Sequence, residues 1–339
     1  MREVGICIRI TAAAVFFLLA VCFCTKAGRS SDIAAAVLSP QPLPAGQAGA
    51  ICELEMEQEQ PVGNCFWGEV SDTQLSCRET GGSSLVTAVL TVGNPELVVP
   101  GSTALAYQEN GCFLDTRTAN ELFGTEQASG QIVWCGDSSY TVYGTFESME
   151  QMMIRQAEDT DGEVLDMVSL HLTGSQPGLP PDTRGAQQFL VRHNLSGEII
   201  DYLFLNALAG DLLLVLPLFV GSCLIRMACA QAKAADTLCK KAVFSGLAVL
   251  SAAAAVYLVL QHFRLPPDMI PTQWSDFSFW ETWWETQRRN LLLLLGTAQG
   301  ETQLAMLWNL LLSFLCNLLA VFAGFSLRLS FPRERKQRK

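Results

Sequence analysis

The chain has 339 residues, half of them hydrophobic, and a formal net charge of -11. This length fits two domains, or one domain together with a membrane part. Most of the acidic excess falls between residues 26 and 200, which excludes nucleic acid as a partner because phosphates would be repelled. The charge balance instead suits a solvated surface outside a cell.

Four apolar segments predict membrane-spanning helices, each of which needs about 20 mostly apolar residues. The segments are Val4–Cys24, Tyr202–Ile225, Ala242–Gln261 and Leu304–Leu327. A buried helix of a soluble protein can imitate one such run, but not four of them with basic flanks. The sequence therefore predicts an α-helical membrane protein with four transmembrane helices, in which residues 1–25 form the cytoplasmic N-terminus and helix 1.

The first apolar segment has a second interpretation. Its basic start, its apolar run and the "CTKAGRS" that follows are also typical of a signal peptide. The apolar run is long for the core of a signal peptide. We therefore favour a retained helix and keep the signal peptide as the alternative.

Residues 26–200 are predicted to form an extracytoplasmic α+β domain inserted between helices 1 and 2. Its first part, "SSDIAAAVLSPQPLPAGQAGA", predicts an early helix continuing out of the first span and then a linker. The acidic run Glu53–Gln60 alternates with Leu54 and Met56, which predicts a solvated edge strand. Ser84–Val92 is predicted to be a further strand.

The middle of this domain predicts a helix followed by a β-hairpin. In "LDTRTANELFGTEQASG", Asp115 or Thr116 caps the helix, Leu122 and Phe123 lie on its apolar side, and Gly124 ends it. The following "QIVWCGDSSYTVYGTF" predicts two strands joined by a turn at "GDSS".

Residues 226–241, between the second and third apolar segments, are predicted to be a basic loop. They contain Arg226, Lys233, Lys240 and Lys241 against a single acidic residue. Lys and Arg are enriched in short loops on the cytoplasmic side of a membrane. The loop is therefore predicted to be cytoplasmic, and a short amphipathic helix within it is an alternative to an ordinary basic loop.

The basic tail, residues 329–339, is also predicted to be cytoplasmic, by the same rule. Helices 2–4 fall within residues 201–328, so the spans alternate with both termini inside. Residues 26–200 and a loop at 262–303 are then outside. An RNA-binding role for the tail is the alternative, but attraction to lipid head groups is the simpler explanation beside a span.

The outer loop contains a cluster of aromatic residues. After Ser275, which is a candidate N-cap, Trp280, Trp283 and Trp284 recur at near-helical spacing. This predicts a short amphipathic helix that anchors the chain at the membrane–water interface, where indole rings are favoured. A binding site for a sugar or a drug is the alternative.

Four polar residues lie inside the predicted spans, where such residues are costly: Asn206, Asp211, Asn309 and Asn317. Asn309 and Asn317 are predicted to bind helix to helix. Asp211 is predicted to lie near the outer end, to pair with a neighbouring helix or to be protonated, and a proton or substrate path through it is an alternative.

Five cysteines fall in the outer domain, where an oxidising exterior permits disulfides. Cys112 and Cys135 flank the predicted helix and the following strand, and a disulfide between them is predicted. Cys52 paired with Cys65 or Cys77 is a second candidate, and an odd count leaves one thiol over. No C-x-x-C motif occurs, so no metal site is expected.

The helix–hairpin stretch resembles the periplasmic core domain of the MacB-like and FtsX-like ABC transporter permeases. In that family a helix ending in Leu-Phe-Gly is followed by a Gly-Gln or Gly-Lys pair and a Tyr-Thr-Val strand ending in Gly. The matching positions are Leu122, Phe123, Gly124, Gly130, Gln131, Tyr140 and Gly144. The order of one span, a large outer domain and three further spans is similar to that of the family.

The resemblance implies a subunit that works with a separate ATP-binding protein, in a homodimer or with a second permease. The loop 226–241 would contact that partner. No G-x-x-x-x-G-K-[ST] occurs, so the ATPase is expected on another chain, and no catalytic motif or cofactor site is expected here. The family usually has an amphipathic cytoplasmic helix before the first span, and this chain offers only "MREVGICIR".

The expected function is that of a permease-type subunit that transmits ATPase motion to the outer domain, for export or envelope remodelling. The first alternative is a membrane-anchored sensor or regulatory scaffold whose outer domain binds a ligand or a cell-wall enzyme. The second is a scaffold that has lost transport.

Overall fold

The computed structural model describes residues 2–29, 32–107, 110–158, 163–172, 183–263 and 277–330. The chain divides into two compact units. The first, here called the sheet unit, comprises Ser30–Tyr202 and Phe277–Ala305, and the second, the helical unit, comprises Met1–Arg29, Leu203–Asp276 and Met306–Lys339. Of the predicted basic tail, residues 331–339 lie outside the described part, as does the candidate cap Ser275.

Strands dominate the sheet unit, which is an α+β domain as predicted. Its strands are β1 (Ile33–Leu38), β2 (Leu43–Pro44), β3 (Asn64–Ser76), β4 (Ser83–Gly93), β5 (Gly111–Asp115), β6 (Ile132–Cys135), β7 (Ser138–Phe146), β8 (Met152–Gln156), β9 (Val164–Leu165), β10 (Met167–His171) and β11 (Gly197–Ile200). Its helices are α2 (Ala45–Met56), α3 (Thr116–Phe123), α4 (Arg184–Arg192) and α8 (Phe277–Gly296).

One nine-stranded sheet has the order β11-β1-β10-β3-β4-β8-β5-β7-β6, and β6 also pairs with β3. This additional pairing closes the last six strands into a ring. The β4–β8 and β5–β7 pairs are parallel, and the other pairs of the sheet are antiparallel. Leu75, Leu114, Leu122, Val133 and Met153 are among the fully buried residues of the cluster that fills the ring.

The early part of the outer domain was predicted to be a helix and a linker, and this prediction is wrong. Ile33–Leu38 instead forms β1, which pairs with β10 on one side and β11 on the other. Its alanines favour a helix locally, but a strand that is buried on both faces needs a continuous run of small apolar residues. Ala35 and Ala36 are fully buried in this way.

The predicted edge strand at Glu53–Gln60 is also wrong. Its first residues form the end of α2, which begins at Ala45 and ends at Met56. The residues that α2 buries, Ala45, Ala48, Cys52 and Glu55, are three or four positions apart, which is the spacing of a helix face. The alternation of acidic and apolar residues therefore does not mark a strand, because Leu54 and Met56 are exposed whereas Glu55 is buried.

The helical unit contains α1 (Arg2–Gly28), α5 (Leu203–Leu213), α6 (Val215–Ala234), α7 (Leu238–His262) and most of α9 (Glu301–Ser330). Four segments of these helices are long and apolar enough to cross a membrane, namely Ile8–Gly28, Leu203–Ala234, Leu238–His262 and Glu301–Ser326. They coincide with the four predicted spans and extend most of them.

The second span is interrupted between α5 and α6 at Leu214. Pro217 explains the break, because it has no N–H to donate to the carbonyl four residues earlier. Beside the break, Nδ2 of Asn317 donates a hydrogen bond of 2.7 Å to the carbonyl of Leu212. The predicted helix-to-helix role of Asn317 is therefore confirmed, and that of Asn309 stays a prediction.

Candidate functional site

The segment 226–241 is mostly helical, so an ordinary basic loop is wrong there and the alternative of a helix within the segment is closer to the structure. Helix α6 continues to Ala234 and α7 begins at Leu238, which leaves only residues 235–237 between them. Ala, Gln, Met and Lys favour a helix, so the helix does not end where the apolar segment does. The α6 and α7 helices pack together as a hairpin, with Gly221 facing Ala255.

The four predicted partner-contact residues lie near the tip of this hairpin. Arg226 and Lys233 are on α6, Lys240 and Lys241 are near the start of α7, and all four are exposed. Lys233 lies in the last turn of α6, where a cation is favourable. Lys240 and Lys241 lie near an N-terminus that Thr237 caps, where each cation costs about 0.3–1 kcal/mol. The stability of α7 therefore does not explain why two lysines occur at these positions.

In the sheet unit, the Leu-Phe-Gly motif ends α3 as predicted. Asp115 caps the helix, accepting hydrogen bonds from the backbone N–H groups of Arg117 and Thr118. At the other end Gly124 has φ of 71°, a left-handed conformation that favours glycine. Leu122 is buried in the core of the ring and Phe123 packs against the same cluster.

Strand β7 is held in place by the Gly-Gln pair and by the last glycine of the motif. The N–H of Gly130 donates to the carbonyl of Val142, and the carbonyl of Gln131 accepts from the N–H of Val142. A Cβ on Gly144 would lie 2.6 Å from the ring of Phe113, so only glycine fits there. These motif residues are therefore explained by the folding of the α3–β7 region.

Tyr140, the remaining motif residue, belongs to a buried charged network around Arg155. The Arg155 side chain is 10% exposed, pairs with Glu163, and has its guanidinium carbon 5.3 Å from the centre of the Tyr140 ring. The hydroxyl of Tyr140 donates a 2.6 Å hydrogen bond to Glu158. Burial, together with this bond, raises the pKa of Tyr140 to about 12, so the hydroxyl stays protonated and remains a donor.

The predicted disulfide between Cys112 and Cys135 is not formed, because both residues are free thiols. Cys112 on β5 lies opposite Val142 of β7, whereas Cys135 on β6 lies opposite Ser138 of β7. The two are thus separated by strand β7 and by four positions along it, whereas a disulfide needs Cα atoms about 4.4–6.8 Å apart. Cys52, Cys65 and Cys77 are free thiols as well.

A buried ion cluster around Glu55 was missed by the sequence analysis. Glu55 has no exposed surface, and its Oε1 accepts hydrogen bonds from Arg192 at 2.6 Å and from the N–H of Val62 at 3.0 Å. Its Oε2 lies 2.6 Å from Nε2 of His193. Burial alone would raise the pKa of Glu55, but the hydrogen bonds from His193, Val62 and Arg192 outweigh it and lower the pKa. The cluster fixes the end of α4 to the end of α2.

The predicted outer loop contains α8, a helix of 20 residues that belongs to the sheet unit. Asn290 of α8 makes two hydrogen bonds to the backbone of Asp201, the residue after β11, at 2.9 and 3.0 Å. The buried hydroxyl of Tyr202, the next residue, bonds to Gln299. Residues 277–300, which lie between the third and fourth candidate spans, therefore belong to the sheet unit and are mostly helical.

The first residues of α9 complete this attachment. The N–H of Thr302 donates to the carbonyl of Val98 at 3.0 Å. Nε2 of the buried Gln303 lies 3.3 Å from both the carbonyl of Leu97 and Oγ of Ser169. The partners lie more than 130 positions apart in the chain, and no local signal in the sequence points to them.

An open groove of about 560 Å³ lies beside α3. Its lining residues are Ser71, Asp72, Leu85, Val86, Thr87, Arg117, Glu121, Glu150 and Gln151. Three carboxylates and one guanidinium face this space, and two of these groups have internal partners. Arg117 donates to the carbonyl of Met149, and Glu121 accepts from the hydroxyl of Ser84. The groove is polar and favours a cationic over an anionic occupant.

No protein-family profile and no curated protein matches the chain. Among solved structures, the chain is similar to the periplasmic region of MacB from Actinobacillus actinomycetemcomitans, at 12% identity over 50% of this chain and 87% of that chain, with a TM-score of 0.38. It is also similar to the extracellular domain of the noncanonic ABC-type transporter YknZ from Gram-positive bacteria, at 12% identity over 49% of this chain and 97% of that chain, with a TM-score of 0.34.

MacB gives its name to the family that the α3–β7 motif resembles, and the predicted resemblance is confirmed as a likeness to transporter outer domains. With identities of 12% and TM-scores below 0.5, the likeness carries no argument about what the chain does.

Proposed function

We propose that the chain is a permease-type subunit of an ATP-driven membrane complex, which transmits the motion of a separate ATPase subunit to an extracytoplasmic sheet unit. The complex would contain two such subunits, or this chain and a second permease. Both chain termini and the tip of the α6–α7 hairpin would be cytoplasmic, because the sequence is rich in Lys and Arg there.

The observation that carries this proposal is the way in which helices and strands follow one another in the chain. Helix α1 ends at Gly28 and β1 begins at Ile33, while β11 ends at Ile200 and α5 begins at Leu203. The two strands pair side by side in the sheet. A displacement of α1 or α5 therefore acts directly on two neighbouring strands, with only a few intervening residues to absorb it.

The exposed lysines of the α6–α7 hairpin support a partner on the cytoplasmic side. Lys240 and Lys241 lie near a helix N-terminus, where cations are unfavourable, so their benefit must come from something outside the helix. An acidic surface of an ATPase subunit would supply it, and it would also speed the association.

The test is purification of the tagged full-length protein from gently solubilised membranes, with identification of co-purifying proteins and an ATPase assay. A stoichiometric ATP-binding protein is expected. It should be lost when Lys233, Lys240 and Lys241 are changed to Glu, and retained when the same three residues are changed to Arg, which keeps the charge. Absence of a nucleotide-binding protein from the wild-type preparation would contradict the proposal.

The groove beside α3 supports a second candidate function, a sensor whose sheet unit binds a ligand or a cell-wall enzyme. Under this alternative, binding in the groove controls the hydrolysis of the cell envelope. Thr87→Trp fills the groove and should therefore abolish this control, which is measured as a loss of normal envelope hydrolysis. It should leave co-purification of the ATPase unchanged, because the substitution is remote from the hairpin in sequence and lies in the other unit. Normal envelope hydrolysis in that variant would contradict the sensor alternative.

A further inference from the structure

Helix α8 carries an exposed apolar stripe. Trp280, Trp284, Leu291 and Leu295 are 39%, 66%, 50% and 74% exposed, respectively. At 3.6 residues per turn these four positions fall within an arc of about 60° on the helix surface. Large apolar side chains aligned in this way are not explained by the fold of the sheet unit.

A different side of α8, about 100° around the helix from the centre of the stripe, is attached to the sheet unit. Asn290 hydrogen-bonds to Asp201 there, and the neighbouring Phe279, Trp283 and Leu294 are half-buried. Trp283 was predicted to be an interfacial anchor together with Trp280 and Trp284, but it lies on this attached side. Because one side of the helix is fixed, the direction of the exposed stripe is fixed as well.

We propose that this stripe, defined by Trp280, Trp284, Leu291 and Leu295, docks on the lipid surface of the outer membrane leaflet. Indole rings and leucines suit the boundary between head groups and acyl chains. This docking does not depend on whether a partner hydrolyses ATP.

The length of the chain restricts what the stripe can reach. Only four residues, 297–300, separate the end of α8 at Gly296 from Glu301, where the fourth candidate span begins. Such a connection covers at most about 18 Å. The C-terminal end of α8, which bears Leu291 and Leu295, is therefore kept close to the start of a helix that enters the bilayer.

The charges of α8 indicate that apolar contact, not attraction to anionic lipid, would hold it. The helix contains Glu281, Glu285, Arg288 and Arg289, so its formal charge is zero. Docking is therefore expected to be similar on zwitterionic and anionic lipid, and insensitive to salt. A partner protein selected by charge would show the opposite behaviour.

The attachment through Asn290 gives the docking a structural consequence. Asp201 directly follows β11, and β11 pairs with β1. Contact of the stripe with lipid would therefore hold the edge of the sheet at the membrane surface, next to the point where the chain enters α5.

Site-specific photo-crosslinking of the full-length protein in its native membranes tests the proposal. A photoreactive amino acid replaces Trp284 or Leu295 in the stripe, and Thr282 serves as the matched control, since it is exposed on the same helix but lies outside the stripe. Phospholipid adducts are expected at Trp284 and Leu295 in several-fold excess over Thr282. Crosslinks from the stripe to a second copy of this chain or to another protein would overturn the proposal, and so would equal lipid yields at all three positions.

A second measurement uses the tryptophan fluorescence of the stripe. The wild-type protein is reconstituted into vesicles whose lipids carry bromine near the head group, and quenching of its tryptophan fluorescence is compared with that of the Trp284→Phe variant. The variant is expected to lose a part of the quenched emission, to the same extent in zwitterionic and anionic vesicles and at low and high salt. An unchanged quenched fraction would overturn the proposal.

Discussion

Replacement of Glu55 by Gln tests the buried cluster that joins α2 to α4. Gln keeps the size of the side chain but removes the charge and places an N–H donor where Arg192 or His193 now donates. A hydrogen bond to a charged group contributes about 1.5–3 kcal/mol, and two such bonds are affected. The Arg192 side chain is 37% exposed and can turn to water, so the two losses do not add in full. We expect the free energy of unfolding to fall by about 2–4 kcal/mol.

The assay is unfolding of the full-length protein in detergent, followed by near-ultraviolet circular dichroism, with Glu53→Gln as the matched control. Glu53 lies on the same helix, two positions before Glu55, and is exposed. Its substitution should change the free energy of unfolding by less than about 0.5 kcal/mol. If Glu55→Gln were no more destabilising than Glu53→Gln, the cluster would not contribute to stability as argued.

The effect of Glu55→Gln on the free energy of unfolding should also depend on pH, in a direction that can be predicted. The pKa of Glu55 is lowered in the folded protein, so its contribution is fully present above the unfolded pKa, near 4.5. That contribution is lost as the pH falls through the folded value. The difference between wild type and Glu55→Gln should therefore be constant near neutrality and shrink below about pH 4.5. A difference that grew on acidification would refute the assignment.

Two further predictions concern the sheet unit. Gly144→Ala places a Cβ against the buried ring of Phe113 and should cost about 1–3 kcal/mol in thermal unfolding, whereas Gly49→Ala, at a helix position with nothing within 4 Å, should cost nothing. Partial desolvation and the nearby acidic residues raise the pKa of the exposed Glu69 to about 7, so unfolding should become easier as pH rises from about 4.5 to 7. Glu69→Gln should reduce this slope, and a slope identical to that of wild type would contradict the assignment.

The features that could be predicted from the sequence are those whose causes are local. Asp115 and Gly124 bound α3 because a side-chain cap and a left-handed glycine act within a few residues of each other. The β6–β7 hairpin and the four apolar segments were predictable for the same reason. The residues that these signals name, such as Asp115 and Gly124, have a clear role in the fold.

The features that were missed depend on partners far away in the chain. Ala34–Ala36 has the composition of a helix and forms a strand only because β10 and β11 flank it. Glu55 looks like one of several solvated acids until Arg192 and His193, more than 130 positions later, are brought to it. The polarity of a residue does not reveal whether a distant partner will bury it. The sequence pattern therefore could not distinguish the buried strand from a helix, or the buried Glu55 from a solvated acid.

Under the proposed function, the pairing of β1 with β11 limits how the helices that precede and follow it can move. Four residue pairs, from Ala35 with Ile200 to Leu38 with Gly197, hold the strands in one register. A slip by a single residue would turn every side chain of a strand to the opposite face, which buried strands do not tolerate. A displacement of β1 along its own direction would therefore be passed to β11, the strand that leads into α5. The two helices are expected to shift the sheet unit together, so that work done by the ATPase moves this unit as a body.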